Sequence, residues 1–141
     1  MNHNLLLPMF AMVVLTLVVG GITFVTRVRA VMSGRVDIRY FKTFNFGEPP
    51  EDVVKTQRHF ANLFEVPVLF YAGCLAGMIT GTQGTTALAF AWLFVIARVI
   101  HAWIHLGSNR TMWRMRAFMI GTFAVSALWA CIMIQAYGGG N

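Results

Sequence analysis

All eleven Lys and Arg residues of this 141-residue chain fall either on one side of a four-span membrane topology or inside a span. Four apolar stretches set that topology: Leu5–Val25, Leu63–Ile79, Thr86–Leu106 and Ala117–Tyr137. Each approaches or exceeds the roughly 20 residues a helix needs to cross about 30 Å of hydrocarbon. The joint between the first two carries Arg27, Arg29, Arg35, Arg39, Lys42, Lys55 and Arg58, and the joint between the last two carries Arg110, Arg114 and Arg116. The middle joint, Thr80–Thr85, has no charge, and neither have Met1–Asn4 or Gly138–Asn141. By the positive-inside rule both basic joints are cytoplasmic and both termini lie outside. Arg98 alone breaks the pattern, within the third span.

The expected fold is therefore all-α, a single transmembrane four-helix bundle over residues 1–141 with spans at about 5–26, 60–80, 86–106 and 114–137. Composition agrees, because 57% of the chain is hydrophobic and only 11% is charged, against about 25% charged in an average soluble domain. A net charge of +6 invites a nucleic-acid reading. The basic residues are accounted for as topology signals that meet anionic lipid headgroups, so membrane lipids are the expected partner and nucleic acid is not. Cys74 and Cys131 lie inside spans without metal or disulfide spacing and read as packing residues. The first apolar run lacks the basic start and small-residue cleavage site of a signal peptide, so it is expected to stay as a span. Short termini and lean loops suggest a bacterial inner membrane.

Within the first joint, Asn45-Phe46-Gly47-Glu48-Pro49-Pro50 reads as a turn, and Glu51-Asp52 as the acidic first turn of a helix. That helix is expected to run unbroken from about Pro50 into the second span, slightly kinked at Pro67. Gly20-Gly21 offer a close-packing point for a neighbouring helix.

Polar residues in the spans carry the chemistry. Arg58, Asn62 and Glu65 are spaced to share one face of the second helix, and Arg98, His101 and His105 one face of the third. Arg114 stands at the inner mouth of the fourth. An ionisable group in a span costs several kcal/mol unless it meets a partner or a wet cavity. A Glu65–Arg98 ion pair would satisfy two of these groups. A polar cavity open to the cytoplasm, taking an anionic and hydrogen-bonding ligand, accounts for all seven. His101 and His105 also have metal-ligand spacing with Glu65 as a third group. A fixed cation at Arg98, one turn away, opposes a dication there, and no metal is expected. His3 and His59 read as solvated surface residues.

The pattern Arg58-x-x-x-Asn62-x-x-Glu65-x-Pro67, followed by Arg98-x-x-His101 and a basic residue opening the last helix, resembles the MAPEG family, the membrane-associated proteins in eicosanoid and glutathione metabolism. The resemblance spans nearly the whole chain. It implies a homotrimer of four-helix bundles with glutathione, as co-substrate, held between adjacent subunits near the cytoplasmic face. In that picture Arg58, Asn62 and Glu65 come from one subunit, with Glu65 taking the glutathione amino group, and Arg27 holds a carboxylate. Arg98 and His101 supply third-helix contacts, with His105 one turn on, and Arg114 stabilises the thiolate, with Arg116 as its rival. The chain departs from the family's synthases at His105, where they carry a tyrosine, and at Ala61 and Phe118, where one of them carries an arginine and a tyrosine.

A thiol is a weak nucleophile until ionised, and a nearby guanidinium favours the ionised form. The implied activity is a membrane glutathione transferase or peroxidase acting on lipophilic electrophiles or lipid hydroperoxides, with Trp103, Trp113 and Phe118 as candidate walls for the apolar substrate. The alternative is a non-catalytic protein of the same fold that binds a lipid or amphiphile. A third reading gives the polar residues only a role in assembly.

Overall fold

The computed structural model describes residues 4–138. Among these the chain forms six helices: α1 (Leu6–Met32), α2 (Tyr40–Thr43), α3 (Glu51–Asn62), α4 (Val66–Ile79), α5 (Thr85–Leu106) and α6 (Thr111–Gly138). With α3 and α4 taken as one broken span, four are long and apolar enough to cross a membrane. The all-α, four-span reading therefore holds. α1 runs to Met32, beyond the end at residue 26 read from hydropathy. Arg27 and Arg29 do not stop a helix, since long basic stems can lie along apolar surface with their heads in water.

The buried residues of α1 (Pro8, Met12, Val19, Thr23 and Ala30) form one narrow seam. The opposite face leaves side chains such as Leu17 70% exposed. In water that surface would drive association, whereas in a bilayer it meets acyl chains. α5 is the most enclosed element, with Ala87, Ala91, Phe94, Arg98, His101 and His105 recurring at intervals of three and four on its buried face. It packs most extensively on α6, which presents Ala117, Gly121 and Ala124. Small residues let two helices approach closely in lipid. A methyl at Gly121 would sit 3.6 Å from the Ala97 Cβ and 3.7 Å from the Arg98 Cδ. The Arg98 stem thus lies along the surface that glycine opens.

The expected unbroken helix is not found. The chain leaves helical geometry at Leu63-Phe64-Glu65 and resumes at Val66, with Pro67 in the first turn of α4. The cause is local: a proline ring clashes with the carbonyl four residues earlier, here Leu63, and its nitrogen cannot donate. At the interruption the one backbone bond to the Asn62 carbonyl is a long 3.4 Å contact from the Glu65 amide, which leaves room for a side-chain donor.

The Thr80–Thr85 hairpin closes tightly against α4. A Cβ on Gly77 would come within 2.9 Å of the Leu5 Cδ1 and 3.0 Å of the Thr82 backbone oxygen. Backbone cannot rotate away as a side chain can, so Gly77→Ala is expected to cost about 1–3 kcal/mol, read as a lowered unfolding midpoint in detergent. An unchanged midpoint would mean that the hairpin is looser than this packing.

The first joint is ordered by a second small core of Ala30, Val36, Tyr40 and Val53. The Arg35–Asp52 pair, 3.1 Å apart, ties the joint to α3. Nearby, hydrogen bonds from the Arg39 side chain hold the Asp37 carboxyl down at about 2.

Candidate functional site

The break before Pro67 creates the first part of the site. Arg98 is 1% exposed, and its Nη2 donates to the Asn62 backbone oxygen at 3.2 Å and to the Asn62 Oδ1. The Asn62 Nδ2 donates in turn to the Glu65 Oε2 at 3.1 Å. Arg98 and Glu65 are thus linked through Asn62, and the described residues show no direct ion pair between them. Asn62 suits this place because an amide offers an acceptor to the cation and a donor to the carboxylate at once.

The second part is set by the turn from α5 to α6. Gly107 sits where a Cβ would come 2.9 Å from the Trp103 carbonyl oxygen. Asn109 takes a left-handed conformation with φ 50°, which asparagine accepts more readily than most residues. From there the Asn109 Oδ1 accepts from the Arg114 Nη1 at 2.8 Å, and the His105 Nε2 lies 3.3 Å from the same nitrogen. Lys55 reaches across from α3 to the Gly107 carbonyl oxygen at 3.3 Å. Arg114 is therefore aimed by the turn and by α5 together. Its Nε and Nη2 have no acceptor among the described residues.

Arg58, Asn62, His101, His105, Thr111, Arg114, Met115 and Phe118 line one cavity of about 410 Å³ at the basic end of the bundle. Two guanidinium groups with free donors, an amide and imidazoles facing one open space can bind a carboxylate or thiolate through charge-assisted hydrogen bonds. Arg98 lies beneath, joined to the lining through Asn62. Arg116 lines a separate apolar groove and stacks its guanidinium 4.9 Å from the centre of the Trp113 ring. Arg27 is also apart, with its guanidinium 5.4 Å from the Phe41 ring centre and its Nε buried without a partner. Of the candidate aromatic walls, Phe118 lines the cavity, while Trp113 faces the groove it shares with Arg116. Trp103 lies on a third groove between α1 and α5.

His59 corrects the sequence reading. It is not a solvated surface residue but fully buried, its ring centre 5.5 Å from that of His101 and 4.8 Å from that of His105. The missed signal was the stripe Val53, Thr56 and His59, the buried face of α3 at three-residue intervals. His3 lies outside the described residues.

No curated protein and no solved structure gives a significant match to the chain. The sequence profile of the MAPEG family matches residues 5–134, which is nearly the whole chain, reaches into all four spans and includes every residue of the cavity. This multi-pass integral membrane protein, whose outward helix faces contact lipid, belongs to the MAPEG family.

Proposed function

We propose that this protein is a glutathione-dependent transferase or peroxidase that presents a glutathione thiolate to lipophilic electrophiles or lipid hydroperoxides. The observation that carries the reading is the convergence of Arg58, Asn62, His101, His105 and Arg114 on one open cavity at the basic end of the bundle. Members of the MAPEG family generally use glutathione, which carries two carboxylates, an amino group and a thiol. Arg114 has the position and the free donors to stabilise the thiolate, and Arg58 to take a carboxylate. Glu65 is exposed beside Asn62 and suits the amino group. Arg98, through Asn62, and His101 and His105 complete the binding wall. Arg27 faces its own groove in the single chain and serves the site in a homotrimer, as a neighbouring copy's contribution to a cavity between subunits.

The chemistry follows from charge. A free thiol ionises near pH 8.5, and an adjacent guanidinium lowers that value by favouring the anion. In this orientation the basic end faces the cytoplasm, glutathione arrives from water and the apolar partner arrives from lipid. A bacterial inner membrane is consistent with the lean loops.

Calorimetric titration of the detergent-purified protein with glutathione tests the proposal. Saturable binding is expected, together with the ultraviolet absorbance of a thiolate at neutral pH. An Arg58→Ala variant is expected to weaken binding about 10- to 100-fold through the loss of roughly 1.5–3 kcal/mol of charge-assisted hydrogen bonding. No heat at millimolar glutathione, with a lipid headgroup analogue bound instead, would replace the enzyme reading by the amphiphile-binding one.

A further inference from the structure

The glutathione reading uses His101 and His105 but leaves unexplained the buried His59 that packs against both. His59, His101 and His105 come from α3 and α5, and each offers a ring nitrogen within 4.8 Å of the other two. Their hydrogen bonding is incomplete. Both ring nitrogens of His59 and the Nδ1 of His105 are buried without a partner. Buried polar nitrogens without partners are rare in folded proteins and call for an explanation. The His101 Nδ1 lies 3.1 Å from the Arg114 carbonyl oxygen. A carbonyl only accepts, so this nitrogen carries the proton and the Nε2 keeps its lone pair. A histidine that ligates a metal typically has its other ring nitrogen donating to a carbonyl or carboxylate in this way.

The geometry points to a binding site for a late first-row divalent metal ion of the zinc class, made by His59, His101 and His105 at the floor of the polar cavity. Three imidazoles leave a fourth position open in a tetrahedral site. His101 and His105 also line the cavity, so that position faces the space into which Arg58 and Arg114 point. With metal–nitrogen bonds of about 2.0–2.1 Å, tetrahedral ligand nitrogens stand roughly 3.4 Å apart. The present separations, up to 4.8 Å, must shorten by as much as about 1.4 Å to reach that value.

The nearby cations are the main objection. Arg98 turns its guanidinium to Asn62, which contacts the Glu65 carboxylate, so part of its charge is answered there. A guanidinium only donates, so the His105 Nε2 accepts from the Arg114 Nη1 at 3.3 Å, and an ion bound at that nitrogen displaces this contact. An ion that enlists His105 therefore brings an anion, a hydroxide or a thiolate, into the fourth position, where Arg58 and Arg114 balance it. His59 changes the donor set from two imidazoles and a distant carboxylate to three neutral nitrogens. The inference does not depend on glutathione chemistry.

The test uses the full chain in detergent, freed of any histidine tag, stripped with a chelator and titrated with Co(II) as a spectroscopic probe. Ligand-field bands of tetrahedral intensity are expected, saturating at one ion per chain and bleached by Zn(II). His59→Gln and His101→Gln are each expected to weaken Co(II) binding at least tenfold, while His3→Gln leaves it unchanged. The wild-type elution volume and helical circular dichroism must be kept for a variant to count. If His59→Gln does not fold, His101→Gln alone decides. Weak octahedral bands only, or full tetrahedral binding retained by a folded histidine variant of the cluster, would overturn the site. Neither result touches the glutathione titration, which is read in metal-free protein.

Discussion

Arg114→Ala is expected to reduce glutathione-dependent turnover by about 10²–10³, the usual effect of removing one preorganised donor from a developing or stored anion. The thiolate absorbance should disappear with it, because the bound thiol returns towards its solution ionisation near pH 8.5. The bundle should survive. Arg114 is only partly buried, and its side chain gives up contacts to Asn109 and His105 at a helix mouth, worth about 1 kcal/mol each. Arg114→Lys is expected to be intermediate, since an ammonium keeps the charge but lacks the planar fork that bonds Asn109 and leaves other donors for sulfur. Arg116→Ala serves as the comparison, because that guanidinium stacks on Trp113 outside the cavity. Full activity in Arg114→Ala, with activity lost in Arg116→Ala, would reverse the assignment between the two arginines.

The four spans were legible because lipid leaves a chain few choices: backbone must be paired within helices, and charge must stay at the ends. The polar faces of α3 and α5 were legible for a related reason, since Arg98, His101 and His105 continue the buried stripe begun by Ala87, Ala91 and Phe94. Three features were not. The break at Leu63–Glu65 was read as a slight kink, although the clash of Pro67 with the Leu63 carbonyl contained the stronger answer. His59 precedes the hydrophobic run and so reads as a surface residue, yet α3 is already packed against α1 and α5 there. The choice between Arg114 and Arg116 rests on the conformation of the turn at Asn109, and spacing alone carries no such information.

The break also changes which substitution should be most damaging to stability. A direct Glu65–Arg98 pair would make Glu65 the critical partner. With Asn62 in between, Asn62→Leu is expected to cost roughly 3 kcal/mol or more, because it leaves a buried guanidinium with a single backbone carbonyl as acceptor. Glu65→Gln is expected to cost less than about 1 kcal/mol, since the carboxylate is exposed and touches only the Asn62 amide. The double variant Asn62→Leu/Arg98→Met separates a lost hydrogen bond from a stranded charge. Replacing both partners by apolar groups of similar shape can be nearly neutral, so the pair should recover most of the stability lost in Asn62→Leu alone, a coupling that two independent sites would not show. Thermal unfolding in detergent reads all three. If Glu65→Gln proves as costly as Asn62→Leu, the carboxylate is the true partner of Arg98 and the asparagine only spaces them. If the double variant is no better than the single one, Arg98 is held by something other than Asn62, and the polar floor of the cavity must be organised by α5 itself.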